Sequence, residues 1–222
     1  MFLFAADTSG KNGSIALARG NRDGTCDVLE VVPLQGGTFS AQLIPQMMSL
    51  LSAHQVKKAD LGAFAVVSGP GSFTGLRVGL AAVKALAEVL GRPIVTVSLL
   101  EAVAWLGSSP GTRTAVLDAG RNEAYVGRFR ISDSAAETIE EKLIRQSELH
   151  SALGTITTSD QKIADAAAAN GVSVEMIAAP RADSIARIGW KKLLAGTTVA
   201  PESLDANYIR RSDAEIFSKP NS

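Results

Sequence analysis

From Ser68 the chain reads Ser-Gly-Pro-Gly-Ser-Phe-Thr-Gly-Leu-Arg-Val-Gly, ending at Gly79. Four glycines, Gly69, Gly71, Gly75 and Gly79, fall within eleven residues. Glycine loses more backbone freedom on folding than any other residue, so this density needs a reason. An apolar run, Ala63 to Val67, precedes the stretch and reads as a buried strand. A helical pattern from Leu76 to Leu90 follows, stopped by Gly91 with Pro93 just beyond. The stretch is therefore a glycine-rich turn between strand and helix. It can be a phosphate-binding turn, a turn of unusual dihedrals, or the start of a helix kept small for close packing.

Spacing bears on the phosphate reading. A Walker loop needs Gly, four residues, then Gly-Lys and Ser or Thr. Here five residues separate Gly69 from Gly75, and Leu76 stands where lysine belongs. The dinucleotide pattern G-x-G-x-x-G fits Gly69 and Gly71 but puts Thr74 at the third glycine. Both patterns fail at the residue that carries the function. Backbone N–H groups at the helix start remain able to meet some anion.

Packing explains the glycines better. Gly75, Gly79, Ala82 and Val83 lie three and four apart and make a narrow, flat strip. Beside it, Leu76, Leu80, Val83, Ala87 and Leu90 repeat at helical spacing. Only Arg77, Lys84 and Glu88 are charged, whereas a surface helix normally shows one polar face. The expectation is burial on two sides, one of them against another protein chain. An earlier helical stripe, Leu43, Met47, Leu50, Leu51 and His54, is widened by Ile44 and Met48. It either joins that contact or is ordinary core. On this reading Gly75→Leu or Gly79→Leu breaks pairing while the chain stays folded.

Along the chain, Phe2 to Ala6, Ser14 to Arg19 and Cys26 to Val32 read as three strands joined by tight turns. Asp23-Gly24 is a hairpin signal in the second turn. A helix from about Ser40 to Ala53 follows, with Thr38 or Ser40 as cap. The strand from Ala63, the glycine turn and its helix, a strand Ile94 to Val97 and a short helix Leu99 to Leu106 complete the block. The order β-β-β-α-β-α-β implies an α/β fold, a mixed sheet covered by helices. Ser108-Ser109-Pro110-Gly111 marks a lobe boundary.

A second set follows: strands Thr114 to Leu117, Ala124 to Ile131 and Thr138 to Arg145, then a helical Ser147 to Leu153. A strand Thr155 to Thr158, a helix Gln161 to Asn170, a strand Val172 to Ile177 and a helix Ala182 to Ala195 come next. Pro201 to Arg211 reads as an irregular arm, with a polar tail after it. The expected division is 1–107, 108–200, and an arm and tail over 201–222. Both lobes open alike, with a strand ending in aspartate and a turn: Asp7-Thr8-Ser9-Gly10 and Asp118-Ala119-Gly120. A second strand follows each turn, so the halves look duplicated.

Composition bounds the function. Lys+Arg and Asp+Glu are both 22, which argues against autonomous nucleic-acid binding. The single cysteine, Cys26, allows no internal disulfide and fits a reducing compartment. The apolar start meets Asp7 at once and reads as a strand, not a signal peptide. No apolar run approaches the ~18 residues of a membrane span. The expectation is a soluble, cytoplasmic protein.

Asp7 and Asp118 could flank Mg²⁺ between two phosphate-binding hairpins, or simply form turns. The late Gly-Gly pair that would hold a nucleoside is missing, since Gly36-Gly37 comes too early. His54 and His150 are far apart and form no His-x-x-x-His pair for a metal. Ser72 lacks the Gly-x-Ser-x-Gly frame of a hydrolase, and Cys26 sits in a strand pattern. Chemistry by this chain alone has little support.

The glycine stretch Gly69-Pro70-Gly71-Ser72-Phe73-Thr74-Gly75-Leu76-Arg77-Val78-Gly79, with the apolar strand before it, resembles the signature of the TsaB (YeaZ) family. These are bacterial proteins of tRNA threonylcarbamoyladenosine biosynthesis. Ala6-Asp7-Thr8-Ser9, Leu43-Ile44-Pro45, Val97-Ser98-Leu99-Leu100, Asp118-Ala119 with Glu123-Ala124-Tyr125, and Pro201-Glu202 with Tyr208-Ile209-Arg210-Arg211 are similar to family patterns in the same order. The resemblance covers 1–130 well and 131–195 thinly. Phe39 stands where the family often has histidine, and the arm carries extra residues between Pro201 and Tyr208.

The resemblance implies an actin-like ATPase (ASKHA, ribonuclease H-like) duplicated fold of two lobes, the second reduced. It implies a non-catalytic partner, homologous to the catalytic subunit TsaD but without its metal site. With TsaD and the ATPase TsaE, such a partner supports transfer of threonylcarbamoyl from threonylcarbamoyl-adenylate to N6 of the adenosine next to the anticodon. Pairing would run through first-lobe helices, with self-association also open. No cofactor is expected in the isolated chain. An adenine nucleotide could sit at a complex interface, and tRNA would be met through the complex. The rival reading is a self-sufficient ATPase, kinase or peptidase-like enzyme of the same fold.

Overall fold

The computed structural model describes residues 1–109, 111–132 and 136–209. Pro110 of the expected boundary, and Arg210, Arg211 and the tail beyond them, lie outside the described residues. The first sheet holds β1 (Phe2–Asp7), β2 (Gly13–Gly20), β3 (Cys26–Leu34), β4 (Leu61–Gly69) and β5 (Ile94–Ser98). Its order is β3-β2-β1-β4-β5. The three-strand meander is antiparallel, and β1, β4 and β5 run parallel. Between them come α1 (Phe39–Ala53) and α2 (Phe73–Leu90), with α3 (Leu99–Leu106) after β5. β1 and β4 are near-continuous buried apolar runs, as strands covered on both faces must be. β3 is only partly buried, carries Pro33 and sits at the sheet edge, where a missing N–H costs least.

The second sheet holds β6 (Thr112–Gly120), β7 (Glu123–Ile131), β8 (Ala136–Arg145), β9 (Ile156–Thr158) and β10 (Val174–Met176). α4 (Gln161–Ala169) lies between the last two strands, and α5 (Ala182–Leu194) follows them. The order is β10-β9-β6-β7-β8, with the same strand directions as the first sheet. In each sheet the opening strand pairs antiparallel to its successor and parallel to the fourth. This is the duplicated α/β architecture of the actin-like ATPases, with β9 and β10 cut to three residues each.

Two elements differ from the sequence reading. Ser147 to Leu153 forms no α-helix but two short 3₁₀ turns, Gln146–Glu148 and Ser151–Leu153. Seven residues cannot recover the cost of helix nucleation without a packed face. α5 falls in the segment expected to belong to the second lobe, yet its buried face packs on the first sheet. Ala182, Ile185, Ala186, Ile188 and Trp190 join the core of β1, β2 and β4. Trp190 fills the space over Gly20 and donates its indole N–H to the Asn21 carbonyl at 3.2 Å.

α3 is wedged between the sheets. Leu100, Val103 and Ala104 pack with Ala115, Leu117 and Phe129 of the second sheet, while Ala102 belongs to the first core. Among the described residues no helix is long and apolar enough to cross a membrane.

Candidate functional site

The glycine turn is folded onto the chain's own first hairpin. Ser72 caps α2, its hydroxyl oxygen accepting from the Gly75 N–H at 3.3 Å. The Ser72 N–H donates to the Ser9 carbonyl at 2.6 Å. A Cβ at Gly71 would stand 2.5 Å from that same oxygen. A Cβ at Gly75 would run into the Thr8 carbonyl, and one at Gly79 into Thr8 Oγ1. Thr8 Oγ1 donates to the Gly75 carbonyl at 2.7 Å and locks the approach. Gly69 has φ +132, and a Cβ there would meet the Asn207 carbonyl at 2.6 Å. Gly91 ends α2 in the left-handed region, as expected of a helix-stop glycine.

The strip Gly75, Gly79 and Val83 is therefore close packing, but within one chain. The expected contact of this strip with another protein is corrected. The stripes are corrected with it. Leu43, Met47, Leu51, Leu76, Leu80 and Val83 are buried in the first core. Ile44 and Met48, at 40% and 42% exposure, are what remains of the expected interface. The reason is the position of both helices over the sheet, which spends their strongest apolar faces on β4 and on each other.

α1 and one flank of α2 leave an uncharged surface outside. α1 exposes Ala41, Ile44, Pro45, Met48, Ser49 and Ser52. α2 shows a row of Thr74, Val78, Ala81, Ala85 and Val89 along one flank, with Val89 83% exposed. Arg77 and Glu88 lie on the other flank, where charges solvate a helix normally. Depletion of charge is a feature that this face shares with the cores of protein interfaces.

The Asp7 and Asp118 turns face one cleft of about 1310 Å³ between the sheets. Pro70, Gly71, Ser72, Phe73 and Arg77 line it from the glycine turn, and Asn207 and Tyr208 from the arm. The two aspartates have different surroundings. Asp118 accepts from Lys162 Nζ at 3.1 and 3.2 Å, from Gln146 Nε2 at 2.8 Å and from the Gly120 N–H at 3.1 Å. Its own N–H donates to Asp160 Oδ2 at 2.7 Å. Asp7 is buried, and its Oδ1 accepts from the Ser9 N–H at 2.9 Å and the Ser9 hydroxyl at 2.6 Å. Burial pushes the Asp7 carboxyl above the ordinary carboxylate range, against those two hydrogen bonds.

A cation shared by Asp7 and Asp118 does not fit this donor set, because the Lys162 ammonium already sits on both Asp118 oxygens. Among the described residues, no three His, Cys, Asp or Glu side chains come together as metal ligands. Nothing in the sequence pointed to Lys162 or Gln146. Lys162 becomes a partner of Asp118 only through the β6–β9 crossover, 44 residues away.

The state of Asp7 has a measurable consequence. The fold favours its protonated form, so this group's stabilising effect is present at low pH and is lost as pH rises through the raised value. Asp7→Asn keeps an acceptor for Ser9 and cannot ionise. Its melting temperature relative to the parent chain should climb as pH rises from about 4, the unfolded aspartate range, and then level off. A difference that falls over that window would contradict the assignment.

At the other side of the glycine turn, Tyr208 closes on α2. Arg77 Nε donates to the Tyr208 hydroxyl at 3.1 Å, and its guanidinium carbon lies 3.7 Å from the Phe73 ring centroid. The Phe73 and Tyr208 rings are 5.2 Å apart. Phe73 and Arg77 thus form a seat for the arm.

Known proteins are similar to this chain in sequence and in fold. TsaB of Bacillus subtilis is 32% identical over 140 residues, covering 63% of this chain and 59% of that protein. TsaB of Escherichia coli is 26% identical over 229 positions and covers 96% of each. Against the first curated relatives the match spans only 46% to 59% of their length. YeaZ of Pseudomonas aeruginosa superposes with a TM-score of 0.77 at 22% identity, over 93% of this chain and 99% of that one, and so shares the fold. The family described as TsaD, tRNA N6-adenosine threonylcarbamoyltransferase, matches residues 31–200. The chain is a TsaB-type (YeaZ) member of the TsaD family. In this TsaB-type chain Phe39 is core. Its ring packs over Gly13, where a Cβ would touch it.

Proposed function

We propose that this chain is a non-catalytic subunit of the machinery that makes N6-threonylcarbamoyladenosine beside the anticodon of tRNA, acting in the cytoplasm. It pairs with a TsaD-like catalytic subunit and works with a TsaE-like ATPase. tRNA is met through the complex, and an adenine nucleotide belongs to the complex interface and not to this chain alone. The observation that carries the reading is the uncharged two-helix face of α1 and α2 on a TsaB-type chain. A balanced charge of 22 basic and 22 acidic residues is what a subunit that leaves RNA binding to its partners would have. The same face can pair with a second copy when the partner is absent.

Reconstitution tests it. The TsaD-like and TsaE-like proteins, with ATP, threonylcarbamoyl-adenylate and unmodified tRNA, should form the modified nucleoside only when this chain is added. Equal yield without it would overturn the reading. Calorimetry of the chain alone with Mg²⁺-ATP separates the rival: tight binding with turnover would make it a self-sufficient ATPase. Another solved structure that shares the fold is described as similar to the peptidase YeaZ of Pseudomonas aeruginosa, so release of peptide fragments belongs in the same assay set.

A further inference from the structure

The two sheets are tied together at both ends of α3, and the two ties differ in kind. At its C-terminal end, Arg113 donates to the carbonyls of Ala104 at 2.9 Å and Trp105 at 3.1 Å, and to Ser109 at 2.6 Å. Glu175 of β10 accepts from the Ser108 N–H at 2.7 Å and the Ser108 hydroxyl at 2.6 Å. These contacts are local to the connection between the sheets, which leaves α3 here and enters β6. The rest of the contact between α3 and the second sheet is apolar packing of Leu100, Val103 and Ala104, which is non-directional and does not by itself fix the tilt of that sheet.

The N-terminal end of α3 carries a long-range tie. Glu141 of β8 takes one donor on each carboxylate oxygen. The Ser98 hydroxyl, at the start of α3, donates to Oε1. Asn207 Nδ2, on the arm, donates to Oε2 at 2.6 Å. The arm is itself fastened to the first lobe. The Asn207 N–H donates to the Ser68 carbonyl at 2.7 Å, Leu204 is buried in the first core, and Tyr208 stacks at Arg77 and Phe73. Gly69 leaves room for Asn207, since a Cβ there would strike its carbonyl. Next to Glu141, the buried Glu101 of α3 is held by Lys192 of α5 at 2.9 Å, which fixes the helix to the first lobe. Glu141 therefore grips two segments that cannot follow the second sheet if it moves.

We propose that Glu141 and the 201–209 arm form a latch that sets the width of the inter-sheet cleft, with the C-terminal end of α3 as its pivot. Closing the latch brings the arm across the cleft mouth, where Asn207 and Tyr208 line it. Releasing it lets the second sheet swing about the far end of α3 and carries Asn207 off the glycine turn. Tyr208 then loses its seat on Arg77, so the state of the cleft is felt at the start of α2. The latch acts within one chain and does not depend on the proposed subunit role.

The test is a distance between spin labels at Asn12→Cys and Gln161→Cys in a Cys26→Ser background. Both positions are exposed, one on each side of the cleft. The parent chain should give one narrow distance distribution. Glu141→Ala should give a longer and broader one, and Asn207→Ala a smaller shift in the same direction. Glu141→Gln keeps an acceptor for either donor and should restore most of the narrow population. Asn207→Ala leaves the Ser98 contact in place, so it reads the latch even where Glu141→Ala fails to fold. Unchanged distributions in folded Glu141→Ala and Asn207→Ala chains would overturn the latch. A shift in Glu141→Ala alone would overturn the part given to the arm.

Discussion

Gly75→Ala will cost the chain more stability than any other single methyl group added to α2. Helix propensity alone favours alanine by about 1 kcal/mol, so the naive expectation is a gain. The new Cβ points at the Thr8 carbonyl, an oxygen fixed by the end of β1 and unable to withdraw. Overpacking against rigid backbone costs about 3 kcal/mol or more, well beyond the propensity gain. That is a large fraction of the 5–15 kcal/mol that holds a domain together.

Gly79→Ala meets a side chain, Thr8 Oγ1, and not backbone. Its cost should be smaller, and it should be repairable. Thr8→Ala removes the obstructing atom together with the hydrogen bond to the Gly75 carbonyl. The Gly79→Ala, Thr8→Ala pair should therefore be less destabilised than the sum of its parts, by on the order of 1 kcal/mol. Thr8→Ala should give no such relief to Gly75→Ala. Chemical denaturation of the three single variants and the two pairs measures all of this. Full additivity at Gly79, or a stable Gly75→Ala, would remove intrachain packing as the reason for these glycines. Larger substitutions such as Gly79→Leu should fail to fold and say nothing about pairing.

This is where sequence and structure parted most usefully. The periodicity of α2 showed that its glycines serve close approach, because their spacing puts them on one face. It could not show what approaches, since Thr8 is 67 residues from Gly75 and enters only through the β1–β4 pairing. Duplication was legible for the opposite reason. Asp7 and Asp118 each end a strand before a tight turn, a local pattern that both halves carry, and the two sheets repeat the same strand order. α5 was read correctly as a helix, yet its own face cannot tell which sheet it will cover. The contrast between the two aspartates was illegible as well, because Lys162 and Gln146 reach Asp118 from separate elements.

The same reasoning relocates the pairing surface and gives the second large effect. Of the residues with helical apolar spacing, the most hydrophobic are spent on the chain's own core. A partner can read only what is left: Ile44 and Met48 on α1, and the small row Val78, Ala81, Ala85 on α2. Small residues there keep the helix surface flat, so another helix can lie close along it. Ala85→Arg puts a long charged side chain into that plane. Met48→Glu puts an unpaired charge at its centre, where desolvation would have no compensation. Each side chain is exposed in this chain, so the melting temperature should move little. Affinity for a TsaD-like partner should fall on the order of 100-fold, about 2.7 kcal/mol, for either variant. Modified nucleoside formation should fall with it at limiting chain and recover at high concentration. Unaltered affinity in both folded variants would move the partner to another face, and would leave the uncharged surface of α1 and α2 without a role.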